Sequence, residues 1–142
     1  MKRTIVFFLG MTMLFCLSGC DIDSDENFQF VILEVVSATM PEVFNQNEPH
    51  SIEVVFRRPD TCTFFSNFDV ESDNANARSI IAIGSLLTES DCTDTNDEVT
   101  AQFEFTALEI GAYTFRFYAG ETLEGEPEYI EYVVPVKPEG LN

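Results

Sequence analysis

Few side chains in this 142-residue chain are equipped for chemistry: four cysteines, a single histidine, His50, and 25 acidic residues. Cys62 and Cys92 could form a structural disulfide, a redox pair or part of a metal site. No Cys-x-x-Cys spacing is present and His50 stands alone, which favours the bridge. Closing a loop of about 30 residues would stabilise the fold by ~3–4 kcal/mol in the chain-entropy account. A hydrolase needs a nucleophile beside a base, yet His50 follows Pro49 in a turn and there is no Gly-x-Ser-x-Gly. His50 therefore reads as a solvated loop residue. Pairs of carboxylates would suit a glycosidase, but 25 acids make pairs by chance, and the chain has no Trp to line sugar subsites. A Gly-rich phosphate loop is also missing. The best local candidate for calcium is the acidic loop at 88–97 and its flank. There Asp91, Asp94, Asp97 and Glu98 could converge with neighbouring hydroxyls, held by the disulfide at Cys92. Calcium takes six to eight oxygens, and the spacing matches no named loop, so a solvated acidic loop is the competing reading.

The N-terminus is more specific. Lys2 and Arg3 precede an apolar run from Thr4 to Leu17, which ends in Leu17-Ser18-Gly19-Cys20. The run is 14 residues long, short of the ~20 that span a bilayer. The stretch resembles the lipobox signal peptide of bacterial lipoproteins. That resemblance implies cleavage before Cys20 and lipid on its thiol and amine. An ordinary secretory signal is the alternative, and it would leave Cys20 unmodified. Each lipid methylene in the bilayer is worth ~0.8 kcal/mol, so the anchor needs no protein span. The cleaved signal would cover 1–19, followed by the lipidated cysteine and an acidic tether at 20–27, the folded domain at 28–138 and a tail at 139–142.

Without the signal the chain runs from Cys20 to Asn142, one domain's worth with enough length for a core. It keeps five basic residues, Arg57, Arg58, Arg78, Arg116 and Lys137, against 25 acidic ones, a formal charge of −20. Such a surface repels nucleic acid and acidic phospholipid, so no nucleic-acid partner is expected. In the tether, Asp21, Asp23 and Asp25 resemble the opening of an EF-hand loop, but Glu26 stands where that loop requires glycine. Acidic residues after a lipidated cysteine also resemble a surface-export signal of some diderm bacteria. In enteric-type systems, an aspartate directly after that cysteine instead marks inner-membrane retention. The first implies display at the outer membrane surface, the second a place on the periplasmic face of the inner membrane.

Downstream, β-branched and aromatic residues alternate with polar ones between turn formers. The pattern predicts strands over 28–37, 51–57, 61–70, 79–87, 98–107, 110–118 and 128–137. The first is apolar enough to be buried on both faces. Inward sets are Ile52, Val54 and Phe56; Cys62, Phe64 and Phe68; Val99, Ala101, Phe103 and Phe105; Tyr113, Phe115 and Phe117; and Ile130, Tyr132, Val134 and Val136. Gly84 marks a bulge and Pro135 an edge strand. Loops are expected at 71–77, 88–97 and 120–127.

Seven such strands in about 110 residues predict an all-β, antiparallel sandwich. The segment from Leu108 to Phe117 resembles the turn into the sixth strand of immunoglobulin-like and fibronectin-like modules. This implies that the Tyr113 hydroxyl ties back to the preceding turn. Cys62 and Cys92 do not sit where the antibody-type bridge would.

With Phe115 and its neighbours inward, Arg116 and Tyr118 face outward, as do Tyr129 and Glu131. In an immunoglobulin-like arrangement their strands are adjacent, so Arg116 would pair with Glu131 between Tyr118 and Tyr129, with Phe65 alongside. Tyr and Arg dominate interface hot spots, although a solvated cross-strand ladder would look the same. The expected function is a non-catalytic binding or assembly module, lipid-anchored in the envelope and engaging a protein or glycan. The alternative is a periplasmic accessory or inhibitor lipoprotein acting on an envelope enzyme. The Asn-Pro-Thr-Thr-Gly-Tyr type of loop seen in immunoglobulin-like protease inhibitors is absent.

Overall fold

The computed structural model describes residues 27–88 and 91–140. Cys20, the signal and tether residues before Asn27, residues 89 and 90, and the last two residues lie outside the described residues. The described chain is all-β, without helices, and forms two packed sheets. Its strands are β1 (Phe28–Leu33), β2 (Val35–Thr39), β3 (Phe44–Asn45), β4 (Pro49–Asp60), β5 (Thr63–Asn74), β6 (Ala77–Leu87), β7 (Asp94–Thr106), β8 (Gly111–Glu121) and β9 (Pro127–Lys137). The smaller sheet runs β2-β4-β7. The larger is six-stranded, with β5 on one edge of β6, and β8 and β1 sharing the other; β9 and β3 follow β8.

The inward sets read from the sequence mostly do face inward. Ile52, Val54 and Phe56 from the small sheet meet Ile80, Ala82, Tyr113, Phe115 and Phe117 from the large one, all essentially inaccessible. Two-residue β3 inserts Phe44 among Phe105, Tyr113 and Phe115, with ring centroids 5.3, 6.4 and 5.7 Å away. Arg78, on the inward parity of β6, covers that end of the core. Its guanidinium lies over the Tyr113 ring at 5.3 Å and donates to the Asn74, Ala75 and Ala77 carbonyls.

The sandwich expectation holds, with more strands and different pairing. The predicted first strand breaks at Glu34, where the chain leaves the large sheet as β1 and joins the small one as β2. Leu33 and Val35 stay in the core on either side of the break, but Phe30 and Ile32 are 64% and 55% exposed. That strand is therefore not buried on both faces. Two pairings are parallel, β6 with β8 and β3 with β9. Parallel neighbours need a crossover, and β7, lying in the other sheet, supplies it between β6 and β8.

The stretch expected as a loop at 71–77 is the paired end of the β5-β6 hairpin, turning at Ala75-Asn76. Much of the expected acidic loop is the beginning of β7. Polar residues on both faces read as loop because they pack on nothing, yet backbone pairing does not require packing. The bulge falls on β5 rather than at Gly84: Phe65 pairs with Gly84 and Asn67 with Ile83, leaving Ser66 extra. The skipped residue shifts the parity, so Phe65 and Phe68 both turn inward and Phe64 turns out. A Cβ on Gly84 would press on Leu33 and Thr63 side chains at 3.1–3.2 Å.

Three local devices fix the chain's passages between the sheets. Cys62 and Cys92 are bonded and join the β4–β5 corner to the segment entering β7. Around them the Asp60 carboxylate accepts from the Cys62 N–H and the Thr63 hydroxyl, and Thr61 N–H donates to the Thr93 carbonyl. At the other corner the Glu109 N–H donates to the buried Tyr113 hydroxyl at 3.1 Å, the tie that the resemblance implied. At the β8 bulge Gly120 has φ 122°, and a Cβ there would sit 3.0 Å from the Glu34 carboxylate.

Replacing both Cys62 and Cys92 by serine should lower unfolding free energy by about 3–4 kcal/mol in a denaturant titration; a loss under about 1 kcal/mol would mean that the enclosed hairpin is held by other contacts. Gly120→Ala should cost more than about 1 kcal/mol by the same assay, since it meets both a left-handed backbone and a carboxylate.

Candidate functional site

Strand pairing builds a row of side chains across the outer face of the large sheet. Glu71 on β5 lies beside Ser79 on β6, Ser79 beside Arg116 on β8, and Arg116 beside Glu131 on β9. One step along, Tyr118 pairs with Tyr129. Four of the five interface candidates thus come together. Alternation places them there: Phe115 and Phe117 must face the core, so Arg116 and Tyr118 cannot.

The Arg116 guanidinium sits 4.5 Å from the Tyr129 ring centroid, and the Tyr118 and Tyr129 rings meet edge to face at 6.1 Å. Arg116 Nε is 3.2 Å from Glu131 Oε1, yet it makes no hydrogen bond within the described residues. The contact is an ion pair whose N–H is poorly aimed. The guanidinium is therefore held in place by a ring and a charge, with the side chain about two-fifths exposed. Burial, and then the nearby Glu121 and Glu34 carboxylates, push the Tyr118 phenol above its usual pKa. Tyr118 thus stays a neutral donor at physiological pH.

Phe65 is not part of this face. Because of the Ser66 bulge it stacks inward on Phe56 at 5.0 Å and packs on Phe68 at 4.8 Å. In addition, β6 rather than β5 is the neighbour of β8.

The proposed calcium ligands do not converge. Asp97 and Glu98 are consecutive on β7 and point to opposite faces, and Asp97 is held by Arg58 at 2.6 Å. Asp94 lies opposite Asp60 across β4. Among the described residues the one group close enough for a common ion is Asp60 with Cys62 and Cys92. Its sulfurs are joined in the disulfide and its carboxylate is engaged by the turn, so it holds the corner rather than a metal. Glu89, in the same loop, lies outside the described residues.

His50 opens β4 instead of sitting in a free loop. Its Nε2 accepts the Asn45 N–H at 3.3 Å, and its Nδ1 lies 3.0 Å from the Glu48 carbonyl. Both ring nitrogens serve the turn that delivers Phe44 to the core.

A cleft of about 470 Å³ lies where β1 passes into β2, bordered by Glu34, Arg57, Asp94 and Thr95. Its cation is committed, since Arg57 pairs with Glu34 at 3.1 Å. The feature that the sequence reading missed is apolar: Phe30, Ile32 and Phe64 are half or more exposed on the same outer face as Arg116. For Phe30 and Ile32 the parity was readable but which side of β1 the core would cover was not, and for Phe64 the Ser66 bulge reversed the side.

Hydrogen bonding from Arg58 lowers the Asp97 pKa below the ordinary carboxylate value. The folded state therefore binds fewer protons than the unfolded chain in the acid range. The contribution is complete above the ordinary carboxylate range and disappears as pH falls through the lowered value. Melting curves should show wild type above Asp97→Asn at neutral pH, with the two converging in acid; a gap independent of pH would exclude the ion pair as its source.

No family model, curated protein or solved structure matches the chain.

Proposed function

We propose that this protein is a lipid-anchored component of a bacterial cell envelope whose β-sandwich binds a protein or glycan partner without catalysis. The anchor is the lipid on Cys20, and the binding surface is the outer face formed by β8 and β9. The observation that carries the reading is the arrangement around Arg116. A half-exposed cation fixed over Tyr129 and flanked by Glu131 and Tyr118 stands on a rigid sheet. Rigid aromatic and guanidinium groups lose little conformational freedom on binding, which is why they dominate hot spots. The rest of the surface is strongly acidic, so a partner with basic or hydrogen-bond-accepting groups fits best.

Display at the outer membrane surface is the favoured placement, given the run of acids after Cys20. Asp21 directly after the cysteine is the feature that supports the other placement, at the periplasmic face, with an accessory or inhibitory role towards an envelope enzyme. Protease treatment of intact cells separates the two. Release of the domain from intact cells goes with surface display, whereas protection until the outer membrane is breached goes with the periplasmic role.

The binding face is tested by Arg116→Ala combined with Tyr118→Ala. Cross-linking in cells and glycan-array binding should fall more than about tenfold, with a melting temperature close to wild type. Undiminished binding by the folded variant would end the assignment to this face.

A further inference from the structure

The outer face of the large sheet changes character along β6. At its start the row is Glu71, Ser79, Arg116 and Glu131. At its other end β1 takes the place of β8, and the rows become Asn67, Ile83 and Ile32, then Phe64, Ser85 and Phe30, then Leu87 and Phe28. These three rows contain no charged side chain, although the chain carries 25 acidic residues. Phe30, Ile32, Phe64 and Leu87 are 64%, 55%, 50% and 40% exposed. Contiguous exposed apolar surface of this kind marks a contact with something else.

The position of the patch identifies the occupant. It contains the first residue of β1, Phe28, which follows Cys20 by eight residues. Whatever conformation they adopt, eight residues cannot carry Cys20 more than about 29 Å from Phe28. The Phe28 end of the patch is therefore confined near the lipid, at a high effective concentration relative to the bilayer surface. The Arg116 row crosses β6 at Ser79, eight residues from Leu87 and four from Ile83, so it lies about 26 Å from the Phe28 row and about 13 Å from the near edge of the patch. A neutral aromatic patch tethered to the anchor at its Phe28 end, with the polar row beyond its other end, is what a domain tilted onto a membrane requires.

We infer that Phe28, Phe30, Ile32, Phe64 and Leu87 seat the domain on the zwitterionic lipid surface into which Cys20 is anchored. This contact supplies a second attachment and turns the Arg116 end away from the bilayer. The inference rests on the lipid anchor proposed above. The strong negative charge of the chain selects against anionic headgroups, and the uncharged patch suits phosphatidylcholine or phosphatidylethanolamine.

The test uses the mature protein from Cys20 onward, its lipid verified by mass spectrometry, in phosphatidylcholine vesicles carrying brominated acyl chains. Wild type has no Trp, so Phe30→Trp and Thr100→Trp each report one site. Thr100 is an exposed residue of β7, in the opposite sheet. Emission from Phe30→Trp should be blue-shifted and quenched, and emission from Thr100→Trp should be neither. Red, unquenched emission from Phe30→Trp would overturn the inference by placing the patch in water. Blue-shifted but unquenched emission would overturn it in favour of a second copy of the chain covering the patch. A mass spectrum without lipid on Cys20 would instead remove the anchor itself, and this inference would fall with it.

Discussion

With no helix among the described residues to cover either sheet, the inward apolar faces there have each other. The aromatic seam of β8 is where this constraint is tightest. Tyr113, Phe115 and Phe117 are all inaccessible, and Phe105 and Phe44 meet them at tilted or edge-to-face angles. Each fully buried large apolar side chain is worth roughly 1.5–3 kcal/mol, and aromatic pairs add to this through ring geometry. Most other features of the fold serve to bring chain to this seam. β3 exists as two residues that deliver Phe44, the His50 turn holds its approach, and Arg78 closes the exposed end.

The same constraint explains why the chain changes sheets so abruptly. β1 and β2 are one continuous stretch divided at Glu34, and both halves bury their inward residue against the core. The crossovers carry the strongest local restraints. The disulfide joins the passages from β4 to β5 and from β6 to β7, while the Tyr113 hydroxyl fixes the passage from β7 to β8. A second tyrosine works across the sandwich: the Ala38 N–H on β2 donates to the Tyr132 hydroxyl on β9 at 3.1 Å. Polar atoms of otherwise apolar rings thus satisfy backbone donors where strand pairing runs out.

The outer face of the large sheet is the counterpart of the seam. Because Phe115 and Phe117 face inward, Arg116 and Tyr118 are delivered outward at a fixed spacing, rigid without any contact designed for the purpose. Because β1 displaces β8 alongside the far half of β6, the polar and apolar ends of that face belong to different strand neighbourhoods. One sheet thus carries a polar end at Arg116 and an apolar end at Phe30 and Ile32 at the same time. The proposed orientation and the proposed binding face are compatible because a single twisted sheet carries both.

Local alternation was enough to locate most strands and most of their inward residues, since period-two patterning is a short-range property, while the Arg116–Glu131 and Tyr118–Tyr129 pairs and the Tyr113 tie came from the resemblance to immunoglobulin-like modules. Cys62 and Cys92, without a Cys-x-x-Cys spacing, likewise pointed to their bridge. Alternation says nothing about which strand lies beside which across a crossover, so the parallel placement of β6 against β8 came only from tertiary structure. Nor does it reveal a bulge that inserts one residue: Ser66 reversed the side on which Phe65 would lie. The acidic segment entering β7 read as a cation loop because carboxylates in sequence look convergent, whereas an extended backbone sends neighbours to opposite faces. Whether an apolar face is covered is likewise a property of the partner sheet and not of the strand. For that reason the sequence by itself determined an alternating all-β sandwich, and the tertiary structure decided which of its apolar residues, Phe30 and Phe64 among them, were left facing out.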